Sequence, residues 1–153
     1  MGAVEERAKP GCAMRAAAID LGKVRVGVAV SDELGLLAHP RPFIRGSDAG
    51  RLIDQLITLA GEENIELFLV GLPRTLKGAE GPPARRARRF AEKLAERSRL
   101  RVELMDERLT TREAGLRLRE QGLNARAARL RIDSAAAAVL LQAWLDERRP
   151  ALE

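Results

Sequence analysis

The chain has 153 residues, 46% of them hydrophobic but only 3% aromatic, so a single domain with a core of Leu, Val, Ile and Ala is expected. Its 27 Lys and Arg against 22 Asp and Glu leave a net charge of +5, which suits a polyanionic partner and argues against an acidic binding surface. The one cysteine, Cys12, excludes an internal disulfide framework and disfavours a cysteine-based zinc site, and no apolar run reaches the length of a membrane span. With no signal-peptide core near the start, a cytoplasmic location is the expectation.

Residues 1–13 carry Glu5, Glu6, Pro10 and Gly11 without periodicity and read as a disordered leader. Two apolar runs, Ala16 to Ile19 and Val24 to Val30, flank Gly22 and predict a β-hairpin with Asp20 at the end of its first strand. Gly22 and Gly27 leave room for a ligand or another backbone. Leu36 to Ile44 supplies a third strand, confined to an edge by Pro40 and Pro42. Ser47 or Asp48 caps a helix carrying Leu52, Ile53, Leu56, Ile57 and Ala60 at helical spacing, with Gly61 near its end. Ile65 to Val70 is a buried strand leading into Gly71-Leu72-Pro73. The loop from Arg74 to Pro83 is long enough to suggest a role; its Lys77 suits either a phosphate contact or solvent. The next helix, Ala84 to Ser98, turns Ala87, Phe90, Ala91 and Leu94 inward. Arg85, Arg86, Arg88 and Arg89 load its other faces, for phosphate or for water.

Val102 to Met105 forms a last strand that runs into Asp106-Glu107-Arg108. Thr110 and Glu113 have the spacing of a capping box, opening a helix that stops at Gly122. Residues 124–131 are basic and expected to be loose. A final helix opens near Asp133, runs through Trp144 and Leu145, and closes at Pro150. The expected organisation is one domain over 14–148 and a tail over 149–153.

Asp20, the Asp106–Glu107 pair and Asp133 each stand at the end of a strand or the start of a helix. An acid against an apolar helix is costly to bury without a partner. A divalent cation, Mg²⁺ or Mn²⁺, is one natural partner, because it takes a few carboxylate oxygens plus water and substrate phosphate. Asp133 equally suits a helix cap. Strand alternation groups Asp106 with Val102 and Leu104, and Glu107 with Glu103 and Met105. A turn starting at Asp106 would cancel that argument, so either acid is a candidate.

The ordered motifs resemble those of the YqgF, or RuvX, family. They are Asp20-x-Gly22-x-x-Arg25-x-Gly27-x-Ala29-x-Ser31-Asp32, Gly71-Leu72-Pro73 with Gly78 and Glu80-Gly81, Asp106-Glu107-Arg108-Leu109-Thr110-Thr111, and Ile132-Asp133-Ser134-Ala135-Ala136. The resemblance implies an α/β, RNase H-like fold: a mixed five-stranded sheet, its first three strands antiparallel, flanked by helices. It further implies a hydrolase, a Mg²⁺- or Mn²⁺-dependent nuclease whose metal-binding, catalytic carboxylates are Asp20, Asp106 or Glu107, and Asp133. Arg25 and Arg108 are motif positions that would either touch phosphate or hold the carboxylates. The expected substrate is structured nucleic acid, first the small-subunit (16S) ribosomal RNA precursor, with ribosomal particles as partners. A Holliday junction resolvase acting on branched DNA, or a non-catalytic ribosome-assembly factor, are the alternatives. Lys77, Arg85 and Arg89 are the candidate substrate contacts outside the motifs.

Overall fold

The first strand, β1 (Ala16–Leu21), returns as β2 (Arg25–Ser31) through a turn at Gly22, and the two pair antiparallel with Asp20 opposite Gly27. A Cβ on Gly22 would lie 2.2 Å from the carbonyl oxygen of Arg25, so the turn closes only because residue 22 has no side chain. β3 (Ala38–Arg45) pairs antiparallel with β2 across an irregularity near Val26 and Val28 and forms one edge of the sheet. Helix α1 (Ala49–Glu63) is capped by Asp48, whose side chain accepts from the Arg51 N–H at 3.2 Å. β4 (Leu67–Leu72) then joins β1 in parallel on its free side, α2 (Pro82–Ser98) crosses over, and β5 (Arg101–Asp106) pairs parallel with β4. A 3₁₀ turn (Glu107–Leu109), α3 (Arg112–Glu120) and α4 (Ala135–Glu147) complete the elements. The computed structural model describes residues 14–122 and 134–148. The expected leader, the basic stretch 124–131, Asp133, Pro150 and the tail lie outside them.

The sheet order is β3-β2-β1-β4-β5, a mixed five-stranded sheet whose first three strands are antiparallel, as the resemblance implied. Several boundaries differ from expectation by one or two residues, β3 and α2 among them, and two have a plain local cause. The fourth strand starts at Leu67 because Asn64, at φ 55°, ends α1 in the left-handed region and the Ile65 N–H turns back to the Ala60 carbonyl at 2.9 Å. Helix α3 is capped by Thr111, which accepts from the Ala114 N–H at 3.0 Å. Thr110 instead closes the 3₁₀ turn, its hydroxyl donating to the Glu107 carbonyl at 2.8 Å.

Strand alternation divides the interior in two. Ile19, Val26, Val28, Val30, Phe68, Val70 and Val102 face α1 and α2, against Leu52, Ile53, Leu56, Phe90 and Leu94. Ala16, Ala18, Ala29, Leu67, Leu69 and Met105 face α3 and α4, against Leu118, Ala137, Ala138, Leu140, Leu141 and Trp144. Alanine on both sides of the second layer lets α4 lie close to β1 and β2. Ser134, at the start of α4, stitches that contact by accepting from the Val28 N–H at 3.0 Å and donating to the Arg41 carbonyl at 2.6 Å. The buried Gln142 is satisfied in the same layer, accepting from the Ala38 N–H and donating to the Leu36 carbonyl.

Candidate active site

The parallel strands β1, β4 and β5 end along one edge of the sheet, and their registers fix what meets there. Ile19 is level with Val70, Gly71 with Met105, and Leu72 with Asp106. Alternation turns Asp20 to the α4 side, continuing Ala16 and Ala18, while Gly27 opposite it continues Ala29. Glu107, one residue past β5, is on that side as well, continuing Met105.

Asp20 and Glu107 are brought together across Gly71. A Cβ on Gly71 would stand 2.7 Å from Glu107 Oε1, 3.2 Å from its Cγ and 3.2 Å from Leu140 Cδ2, so the Glu107 side chain lies where an alanine methyl would be. Gly27 is less tight; its Cβ would make ordinary contacts with Ser134 Cα at 3.6 Å and Asp20 Cβ at 3.7 Å. Burial pushes the Glu107 carboxyl up to about 7, with its hydrogen bond to Asp20 adding to this and the charges of Asp20 and Asp106 contributing further. A half-buried carboxyl that hydrogen-bonds to another carboxylate is poised to hold a proton or to share a cation.

Asp106 has a different occupation. Its side chain accepts the backbone N–H of Arg108 at 2.9 Å and so caps the 3₁₀ turn. The Arg108 guanidinium grips the same carboxylate through Nε at 3.1 and 3.0 Å and Nη2 at 2.6 Å. These bonds hold the Asp106 carboxyl below the usual carboxylate range. The sequence left the two acids as alternatives; the turn beginning at Asp106 is what separates them, and Glu107 is the one beside Asp20. Arg108 holds a carboxylate, one of the two roles open to it.

The loop after β4 is tied to this turn. Thr75 closes it with backbone bonds to Gly78 and Ala79 at 2.8 and 3.0 Å. Gly78, at φ +87°, lies against the Arg108 guanidinium, with 3.3 Å from its would-be Cβ to Nη1. Arg74 Nη2 donates to Glu80 Oε2 at 3.0 Å while its Nη1 stands 3.8 Å from Asp106 Oδ2. Arg88 on α2 takes Glu80 with two bonds of 2.6 and 2.7 Å. Sequence reasoning saw the loop but not this network, because no local spacing relates Arg74, Glu80 and Arg88 to Asp106.

Among the other candidates, Lys77, Arg85 and Arg89 are exposed and make no hydrogen bond or ion pair to Asp20 or Glu107 among the described residues. α2 begins at the site's end of the sheet, where Arg86 donates to the Gly22 carbonyl at 3.1 Å. Arg25 is exposed, with its guanidinium 4.8 Å from the centre of the Phe43 ring. Asp133 lies outside the described residues, and among those described no group of three His, Cys, Asp or Glu is placed to hold a metal. No described helix is long and apolar enough to cross a membrane.

A chain of this architecture is similar to several known proteins. It is 44% identical over 135 residues to a protein of Anaeromyxobacter sp. (strain Fw109-5) named "Putative pre-16S rRNA nuclease", covering 88% of this chain and 98% of that one. A protein of Mycobacterium ulcerans (strain Agy99) with the same name is 48% identical over 132 residues, 86% of this chain and 78% of its own. Among solved structures, RuvC of T. thermophilus in complex with Holliday junction substrate superposes with a TM-score of 0.56 at 15% identity, covering 88% of this chain and 95% of that one. The fowlpox virus resolvase in complex with Holliday junction DNA gives 0.54 at 10% identity, covering 88% and 98%. At such identities these two establish a shared fold, that of the RNase H-like resolvases. A family model described as "RuvX: Holliday junction resolvase" matches residues 14–147, a span that takes in every strand and helix described above, and the chain belongs to that family.

Proposed function

We propose that this protein is a divalent-cation-dependent nuclease that hydrolyses phosphodiester bonds in the precursor of small-subunit ribosomal RNA. The observation that carries the reading is the pair Asp20–Glu107, two carboxyls pressed together across a glycine that leaves no room for a methyl group. Such a pair fits a divalent cation, because a bound cation removes the like-charge conflict that otherwise favours a proton. The names of the relatives at 44% and 48% identity support the RNA substrate.

Asp20 and Glu107 are the residues that would hold Mg²⁺ or Mn²⁺, with Asp133, bonded to the anchored Ser134, as a third. When bound, such an ion activates water and neutralises charge at the scissile phosphate. The chain's own residues provide the frame. Gly71 admits the Glu107 side chain, Asp106 and Arg108 fix the turn that presents it, and Ser134 fixes the start of α4 to β2 and β3. Lys77, Arg85 and Arg89 are exposed and would meet phosphates, which supplies affinity without reading sequence.

The test is cleavage of end-labelled ribosomal RNA precursor and, in parallel, of a four-way DNA junction, with Mg²⁺, Mn²⁺ or EDTA. Wild type is compared with Asp20→Asn, Glu107→Gln and Asp133→Asn. Metal-dependent cutting of the RNA, lost in all three variants, is expected. Cutting of the junction alone would replace the substrate, and RNA binding without cutting would replace the enzyme by an assembly factor.

A further inference from the structure

Five side chains of alternating charge run from α2 to the turn that carries Glu107: Arg88, Glu80, Arg74, Asp106 and Arg108. Glu80 is their hub on the loop, accepting from Arg88 Nε at 2.6 Å, Arg88 Nη2 at 2.7 Å and Arg74 Nη2 at 3.0 Å. Arg74 divides its guanidinium between Glu80 and Asp106, the latter at 3.8 Å, and Arg108 takes the same Asp106 oxygen, Oδ2, at 2.6 Å.

On the nuclease reading, we propose that Glu80 is a positioning residue for Glu107, acting through Arg74 and Asp106. Glu80 keeps Arg74 from closing on Asp106. Without the Glu80 charge, Arg74 loses its nearest anion and gains by moving onto the Asp106 oxygens that Arg108 now holds. Among the described residues Arg74 Nε is buried without a partner, so little else there retains that side chain where it is. Asp106 also accepts the Arg108 N–H and so caps the 3₁₀ turn, and its displacement is passed to Glu107, the first residue of that turn.

An isolated exposed ion pair would carry no such weight. Here the geometry is bidentate and continuous, and the Glu80 carboxyl is held below, and the Arg88 guanidinium above, its ordinary range by their mutual hydrogen bonds. Residues that orient a metal-holding carboxylate from behind change metal affinity or activity by about 10–100-fold when removed.

The experiment is a Mn²⁺ titration, read by the electron paramagnetic resonance of the free ion, beside single-turnover cleavage at saturating RNA precursor. Wild type, Glu80→Gln, Asp106→Asn and the double variant are compared, each checked for folding by thermal melting. Each single substitution is expected to weaken Mn²⁺ binding and slow cleavage by about tenfold or more, with RNA affinity unchanged. The double variant is expected to be no worse than the poorer single one, because both break the same chain of contacts. A folded Glu80→Gln with wild-type Mn²⁺ affinity and rate would overturn the proposal, as would single effects that simply multiply in the double variant. Should Glu80→Gln not fold, Glu80→Asp draws the carboxylate back from Arg74 by one methylene and must show a loss in the same direction. A wild-type protein that neither binds Mn²⁺ nor cuts RNA would overturn the nuclease reading, and this proposal with it.

Discussion

Replacing Glu107 by Gln isolates the cost of holding two carboxyls together. Glu107 is raised from 4.5 to about 7 in the folded chain, so the folded state binds this proton more tightly than the unfolded state does. The associated stability is fully present below pH 4.5 and is lost as pH rises through about 7. At about 1.4 kcal/mol per pH unit the ceiling is about 3.4 kcal/mol. Glu107 is only half-buried, and solvent screening brings this to about 1–2 kcal/mol. Glutamine cannot ionise and still donates a hydrogen bond to Asp20. Glu107→Gln is therefore expected to equal wild type in stability at pH 4 and to exceed it by about 1–2 kcal/mol at pH 8 in EDTA. Urea unfolding of both proteins across this range measures the difference directly. Adding Mg²⁺ at pH 8 should stabilise wild type and leave the variant unmoved. A gap that is the same at pH 4 and pH 8, or a variant less stable than wild type at pH 8, would refute the reasoning.

Gly71→Ala places a methyl 2.7 Å from Glu107 Oε1 and 3.2 Å from Leu140 Cδ2, so a loss of about 1–3 kcal/mol in urea unfolding is expected, together with cleavage reduced about 100-fold by displacement of the carboxylate. Arg85→Gln and Arg89→Gln should each lower the slope of log binding against log salt by about 0.7–0.9 while leaving the single-turnover rate at saturating RNA unchanged. Thr111→Ala should cost about 1 kcal/mol by uncapping α3, and Thr110→Ala less, both read from thermal melts.

Much of this was legible in the sequence where chemistry is local. Gly22 between two apolar runs marks a hairpin because only a residue without a side chain closes that turn, and this places Asp20 at a strand end. Pro40 and Pro42 put the third strand at an edge for an equally local reason. What escaped was set by contacts across the chain. Asp106 and Glu107 are adjacent acids, and nothing in their neighbourhood says that Gly71, on another strand, has space for one of them. Thr110 and Thr111 are equally good caps until the 3₁₀ turn takes the first. Glu80 stands in a motif of the resemblance, but nothing in the motif says that Arg74 of its own loop and Arg88 of α2 close on it.

The alanine seam between α4 and the sheet has a consequence for how this protein can change. Ala16, Ala18 and Ala29 meet Ala137 and Ala138 with no exposed surface on any of them, and a layer of methyl groups has no rotamers with which to absorb an added carbon. A larger residue at any of these positions would lift the start of α4, where Ser134 stands 3.6 Å from the Cβ position of Gly27, the residue opposite Asp20. Temperature-sensitive variants of this protein should therefore arise in the seam, leaving every charged side chain intact. Selection on activity would then act as strongly on five methyl groups as on the acids themselves.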